Sequence, residues 1–207
     1  MNVQLPPILD FNSNTNKGTL FDTRDGQSYP VIRINNQIWL AENFRYLPSI
    51  EKGDLFDTSC VYDNDNSYLE KGYGRLYDFN TANNIAPEGW KLPSNKDFQE
   101  LIDFIIKDNN LNDSLVGSYL KSINDWNKPT NIVPNNDKYG FNAKPAGYHS
   151  SDYFNDVNDC TFFWGAVEYN SGFNSGWYLD YGNGTFSCDI CNIKDNDKFS
   201  VRLIKDF

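Results

Sequence analysis

An α+β fold, two helices packed on a twisted, mainly antiparallel sheet with long loops, is what this sequence predicts, and three features carry the prediction. The last third holds three alternating, β-rich segments, FFWGAVEYN (162–170), GWYLDYG (176–182) and FSVRLIKDF (199–207), whose connections are crowded with Gly, Ser, Asn and Asp. Near the start, Asp25-Gly26 and Asn35-Asn36 are turn signals between segments that alternate at Tyr29, Val31 and Ile34, then at Ile38 and Leu40. In the middle, Phe98, Leu101, Ile102, Ile105 and Ile106 repeat at helical spacing behind Ser94, an N-cap with Asp97 three residues on.

At 207 residues the chain fits one domain with an arm. A hydrophobic share of 39% can fill its core, and the 16% aromatic share supplies large buried area plus polar handles on Tyr and Trp. Residues 1–19, proline-bearing and then Asn/Ser/Thr-rich, read as an extended N-terminal arm able to dock on an assembly partner; the domain proper runs over 20–207. Trp39 and Trp90 are expected in the core. The span from Pro48 to Gly74 is acidic and reads as a solvated loop. Its DNDNS (63–67) offers calcium oxygen ligands, but Tyr68 stands where the loop glycine of an EF-hand is needed and Gly74 where its bidentate Glu would be. A first helix is expected around Tyr77 to Ile85, ending before Pro87, and a shorter one near Leu115 to Leu120. Residues 123–152 have the composition of a long loop region with a short strand at Gly140 to Ala143.

Charge and composition exclude several functions. The formal net charge is −10, with no Lys/Arg cluster, which opposes nucleic-acid binding because that affinity rests on neutralising phosphates. The longest strongly apolar run, LIDFII at 101–106, is far short of a membrane span, so no membrane insertion is expected. The N-terminal stretch lacks the basic and apolar regions of a secretory signal, which leaves synthesis and maturation in the cytoplasm open. Cys188 and Cys191 have C-x-x-C spacing without a second half-site, and with Cys60 and Cys160 they allow free thiols, a loop disulfide or, less well, metal. The single histidine, His149, reads as an exposed loop residue, and Ser150 and Ser151 are too close in sequence to form a nucleophile–base pair with it. No catalytic constellation is present, so a non-enzymatic protein without cofactor or metal is expected.

The surface that remains is made by the C-terminal loops. Tyr169, Asn170, Phe173, Asn174, Trp177, Tyr178, Asp180, Tyr181 and Asn183 stand among Gly and Ser. Rigid aromatics give contact area at low entropic cost while Ser, Gly and Asn adapt their hydrogen bonds, the composition of antibody paratopes. Some of these aromatics must alternate inward, notably Trp164 and one of Trp177 or Tyr178. The ligand class expected is a protein or glycan on a cell surface.

Taken in order, DTRDGQSYPVIRINNQIWLAENF (22–44), GRLYDFNTANNIAPEGWKLPSNKDFQELIDFI (74–105), KYGFNAKPAGY (138–148), FFWGAVEYN and FSVRLIKD resemble the Fibrobacter succinogenes major paralogous domain family. That resemblance implies a bacterial, often surface-anchored or secreted protein with a C-type-lectin-like fold, a scaffold also used by variable proteins of diversity-generating retroelements and by phage receptor-binding proteins. Functions in that family are mostly uncharacterised; with the loop composition, the expectation is adhesion or receptor binding at the cell surface, in the extracellular space or on a virion, with structural decoration of a larger assembly such as a phage particle as the alternative. Family members commonly carry a cysteine before the proline of the PxGWxLP segment and another in the last strand; here these positions are Ala86 and Leu203. If that pair is a disulfide in relatives, two apolar side chains replace it here, as suits a reducing compartment. Calcium-dependent sugar binding on this fold would need EPN or QPD and then WND, but Trp126-Asn127-Lys128 ends in a cation and neither triplet occurs.

Overall fold

The computed structural model describes residues 5–47, 58–128, 134–166, 175–189 and 196–206. In chain order the strands are β1 (Ile8–Asn12), β2 (Lys17–Asp22), β3 (Gln27–Ile34), β4 (Gln37–Leu40), β5 (Ser59–Cys60), β6 (Leu76–Tyr77), β7 (Tyr148–Ser150), β8 (Tyr153–Asn155), β9 (Cys160–Gly165), β10 (Ser175–Asp180), β11 (Ser187–Asp189), β12 (Phe199–Ser200) and β13 (Ile204–Asp206). The α-helices are α1 (Ser67–Glu70), α2 (Phe79–Asn84) and α3 (Asn95–Asn109), and 3-10 turns cover Tyr62–Asn64 and Asp113–Tyr119. One sheet has the order β1-β2-β3-β4-β13 and a second β11-β10-β9-β12-β6-β5, with β7 and β8 forming a hairpin of their own. Of the strand pairs among the described residues, only β12 with β9 is parallel. The architecture is α+β, as the sequence predicts.

Alternation along the strands divides most of the interior between two main cores, beside a small third cluster of Cys60, Tyr62 and Leu76. Ile32, Ile34, Trp39, Phe163 and Ile204 enter one cluster with Phe98, Leu101, Ile102 and Ile105 of α3. Their sequence neighbours Val31, Ile38, Leu40, Trp164 and Leu203 enter the other, with Ala82 of α2 and Trp90. Successive strand side chains point to opposite faces, so β3, β4 and β9 each feed both main cores. Helix α3 starts where expected: the Ser94 N–H donates to Asp97 Oδ2 at 2.8 Å and the Asp97 N–H to Ser94 Oγ at 3.2 Å, a reciprocal capping box. It stops at Asn110, whose φ of 52° lies in the left-handed region.

Four expectations change. The span read as a solvated loop, where it is described, carries β5, the Tyr62–Asn64 turn and α1, with Cys60, Val61, Tyr62 and Tyr73 buried. The arm over 1–19 is not an extended linker where it is described, because β1 pairs along its whole length with β2 and extends the first sheet. Its Asn-rich stretch is the hairpin turn, with Asn12 Oδ1 accepting the N–H of Asn14 at 2.9 Å. Gly18 is required there, since a Cβ would lie 2.3 Å from the Asp10 carbonyl oxygen. Residues 140–143 form no strand, only a bridge between Ala143 and Lys121. The last segment, read as one strand, is two: β12 ends at Ser200 in one sheet and β13 begins at Ile204 in the other.

The crossing between those sheets is fixed by Arg202, whose side chain is fully buried. Its guanidinium donates to the carbonyls of Leu40 at 2.9 Å, Asn142 at 2.9 Å and Phe141, and to Asn43 Oδ1 at 2.8 Å. It also lies 4.6 Å from the centroid of the Phe141 ring. Burial lowers its pKa to about 9, which still leaves it charged at neutral pH. On either side the Val201 and Leu203 carbonyls accept the N–H groups of Phe44 and Leu40. Leu203 and Ala86 meet within the same apolar cluster. Replacing Arg202 by Met strips donors from four buried acceptors, each of which costs about 1–3 kcal/mol when left unpaired. Arg202→Met is therefore expected to lower stability by about 3 kcal/mol or more, read from urea unfolding with an unchanged m-value.

Candidate functional site

The β9–β10 hairpin decides where the sequence-predicted residues stand. Gly165 pairs with Ser175 at one end and Cys160 with Asp180 at the other. At about 3.4 Å per residue the two ends are roughly 17 Å apart. Tyr169, Asn170, Phe173 and Asn174 lie outside the described residues, in the connection 167–174 that joins the first end. Asp180, Tyr181 and Asn183 belong to the second. The five described residues are thus split, Trp177 and Tyr178 in the body of β10 and Asp180, Tyr181 and Asn183 at its end and in the turn that follows.

Trp177 leaves the candidate set. It is 5% exposed, stacks on Phe98 at 4.9 Å between ring centroids, and donates its indole N–H to Asn95 Oδ1 at 2.8 Å. Being one residue on, Tyr178 faces the other way and is half-buried. It stacks on Phe162 at 5.5 Å, Phe162 stacks in turn on Phe199 at 4.9 Å, and Tyr148 meets Phe162 edge-on at 5.0 Å. Phe162 and Tyr148 escaped the sequence reading, although the alternation in FFWG already sets Phe162 on the face opposite Phe163. Such ring pairs contribute about 0.5–1.5 kcal/mol each beyond area burial and hold one another in place.

At the second end the turn satisfies itself. Asp180 Oδ1 accepts the Gly182 N–H at 2.6 Å, and Asn183 Oδ1 accepts the N–H of Thr185 at 2.9 Å and its hydroxyl at 2.6 Å. Asp180 and Asn183 therefore shape the turn from within. Tyr181 is 38% exposed, with its N–H donating to the Asp159 carbonyl at 2.7 Å, so the ring is presented from a fixed backbone.

The structure places the other residues singled out in the sequence as follows. His149 is not an exposed loop residue: it is 2% exposed on β7, pairs through its backbone with Lys198, and meets Phe154 edge-on at 5.1 Å. Burial, and then the Lys198 charge, lower its pKa. Cys60 and Cys160 are buried, and burial raises both thiols, Cys60 to about 11, which disfavours the reactive thiolate. Cys191 lies outside the described residues, while the Cys188 sulfur is 3.9 Å from Asn95 Oδ1. In DNDNS the Asp65 carboxylate accepts the N–H and hydroxyl of Ser67 at 2.9 and 2.8 Å. Among the described residues no group of three His, Cys, Asp or Glu is placed to hold a metal ion. A cleft of about 760 Å³ lies between the Asn35-Asn36 turn and α3, but its carboxylates, Glu100, Asp103 and Asp108, face solvent.

An α+β domain with two main cores, a buried cation at its sheet crossing and a stack of half-buried rings beside a structured turn is the class of protein these features define. The chain belongs to the Fibrobacter succinogenes major domain family, whose model matches residues 32–205. No curated protein and no solved structure matches it. The β1–β2 hairpin precedes the matched residues. No described helix is long and apolar enough to cross a membrane.

His149 gives a pH signature with a fixed sign. Its native pKa is lowered, so below its unfolded value near 6.5 the unfolded chain binds more protons and stability falls with pH. The unfolding free energy of wild type minus that of His149→Gln is expected to shrink as pH drops from about 7.5 to 5.5, by urea titration. A difference constant over that range contradicts a buried neutral imidazole.

Proposed function

We propose that this protein is a non-enzymatic ligand-recognition or adhesion domain that binds a protein or glycan at a cell surface, through Tyr178 and Tyr181 with the ring cluster behind them. The single observation that carries this is the presentation of Tyr181: a residue left more than a third exposed on a turn whose Tyr181, Gly182 and Thr185 N–H groups are all hydrogen-bonded. A ring held that way adds contact area without losing much entropy on binding. The excess of acidic residues disfavours polyanionic ligands. A C-type-lectin-like fold is part of the same reading; the α+β arrangement, with α2 and α3 on mainly antiparallel sheets, supports it. The setting proposed is a bacterial cell surface, the extracellular space or a virion.

A second reading, attachment within a larger assembly such as a phage particle, draws on the β1–β2 hairpin. It sits at a sheet edge, ahead of the family-matched residues, and exposes Ile8 and Phe21, with Leu5 exposed just before it. Ile8→Lys is expected to disrupt such an assembly in sedimentation velocity while leaving ligand binding intact; assembly unchanged by a charge at that strand argues against this role.

The recognition reading is tested on arrays of immobilised glycans and of bacterial surface proteins. Whatever feature wild type retains, Tyr181→Ala and Tyr178→Ala are each expected to weaken about ten-fold or more, the size of a hot-spot truncation, with an unchanged urea midpoint for Tyr181→Ala and a midpoint lowered by the lost stacking on Phe162 for Tyr178→Ala. Binding by both variants at the wild-type level removes this surface from consideration.

A further inference from the structure

The turn after β10 carries Tyr181, and little of its backbone belongs to a strand ladder. Asp180 is the last residue paired with β9, and Ser187 is the first of β11 to pair back, opposite Tyr178. What holds the intervening residues comes from elsewhere in the chain. The 3-10 turn Asp113–Tyr119 docks against them, with the Gly117 N–H donating to the Gly184 carbonyl at 2.6 Å. Two glycines make that approach possible: a Cβ at Gly117 would lie 2.6 Å from the Thr185 carbonyl oxygen, and one at Gly184 would lie 2.4 Å from that of Ser114.

Lys121, two residues past the 3-10 turn, closes the arrangement. Its side chain is 1% exposed, and its ammonium donates to the carbonyl of Asn183 at 2.6 Å and to that of Asp180, the two ends of the bend that carries Tyr181. The same ammonium lies 5.0 Å from the centroid of the Trp126 ring. We infer that Lys121 is a positioning residue of the recognition surface, tying Asp180 to Asn183 so that Tyr181 is offered to the ligand in one orientation. The inference rests on the proposed role of Tyr181.

The chemistry favours this over a contribution to global stability. Both acceptors of the ammonium lie in the one turn, so leaving them unpaired is felt there, whereas the acceptors of Arg202 come from separate parts of the chain. Burial lowers the Lys121 pKa to about 8, with the Asp180 carboxylate opposing the shift, so the group is charged at neutral pH. What the ammonium supplies that an apolar chain cannot is two directed donors that tie the carbonyls at the two ends of the bend to one point. Removing it should therefore loosen the turn and spare the sheet.

The test compares wild type, Lys121→Met and Tyr181→Ala by amide hydrogen exchange and by binding to the array feature that wild type retains. In Lys121→Met the amides of Tyr181 to Thr185 are expected to exchange about ten-fold faster while those of Phe163 and Leu179 stay within about two-fold, a local opening rather than a global one. Binding is expected to weaken about ten-fold in parallel. Tyr181→Ala should lose binding without faster exchange. Turn exchange at the wild-type rate, or acceleration spread equally to Phe163 and Leu179, overturns the inference. A loosened turn in a chain whose Tyr181→Ala form still binds removes the recognition role, and the positioning assignment falls with it while the clamp remains.

Discussion

A guanidinium solvated by backbone carbonyls is the contact on which the rest of this fold depends. Arg202 lies on the three-residue crossing from β12 to β13, where the chain leaves one ladder and has not joined the next. Four acceptors converge there from three parts of the chain, Leu40, Asn43 and the Phe141-Asn142 pair. Buried backbone carbonyls must be paired, and no strand reaches these. A planar group with five donors meets that need in a way that Lys, a point charge on a flexible stem, cannot. The crossing in turn sets β13 against β4 and carries Leu203 into the cluster that holds Ala86.

The same device recurs at smaller scale under the candidate surface. Lys121, like Arg202, makes no ion pair among the described residues and spends its charge on carbonyls at the end of a strand. Both cations lie where a sheet has run out and the chain must turn without ladder partners. In a protein with 28 acidic and 18 basic residues, sinking two of its cations this way strengthens the negative balance of the surface. It also ties rigidity to function. The Asp180–Asn183 bend can expose Tyr181 because the backbone beneath it is satisfied from inside, and Tyr178 keeps its place because Phe162 and Phe199 stack behind it.

Where the sequence carried a local rule, it was legible. The Ser94 and Asp97 capping box starts α3, the Phe98 to Ile105 stripe fills a core, Asp25-Gly26 and Asn35-Asn36 make turns, and Trp39 and Trp90 are buried. The order of conserved-looking segments was enough to identify the family, and the match over residues 32–205 bears that out. What stayed hidden depends on partners distant in sequence. An Asn-rich stretch near the start looks like a linker until Gly18 is seen to let β1 lie against β2. His149 looks exposed until Lys198 pairs with its backbone. FSVRLIKDF looks like one strand because nothing local reports that Arg202 must leave the ladder to reach Phe141. For the site, alternation could say that Trp177 and Tyr178 face apart, yet not which of them met Phe98. Lys121 gave no signal at all, since its acceptors are 59 and 62 residues away.

The central claim is that the surface is rigid before any ligand arrives. It is tested most directly by backbone ¹⁵N relaxation of the free protein across β10 and the turn that follows. Order parameters near 0.85 at Tyr181, Gly182, Asn183 and Thr185, equal to those of Leu179 and Asp180, are what a clamped turn predicts. Values below about 0.6 at those four residues would contradict it, for Tyr181 would then be carried on a flexible loop that must be ordered by its ligand.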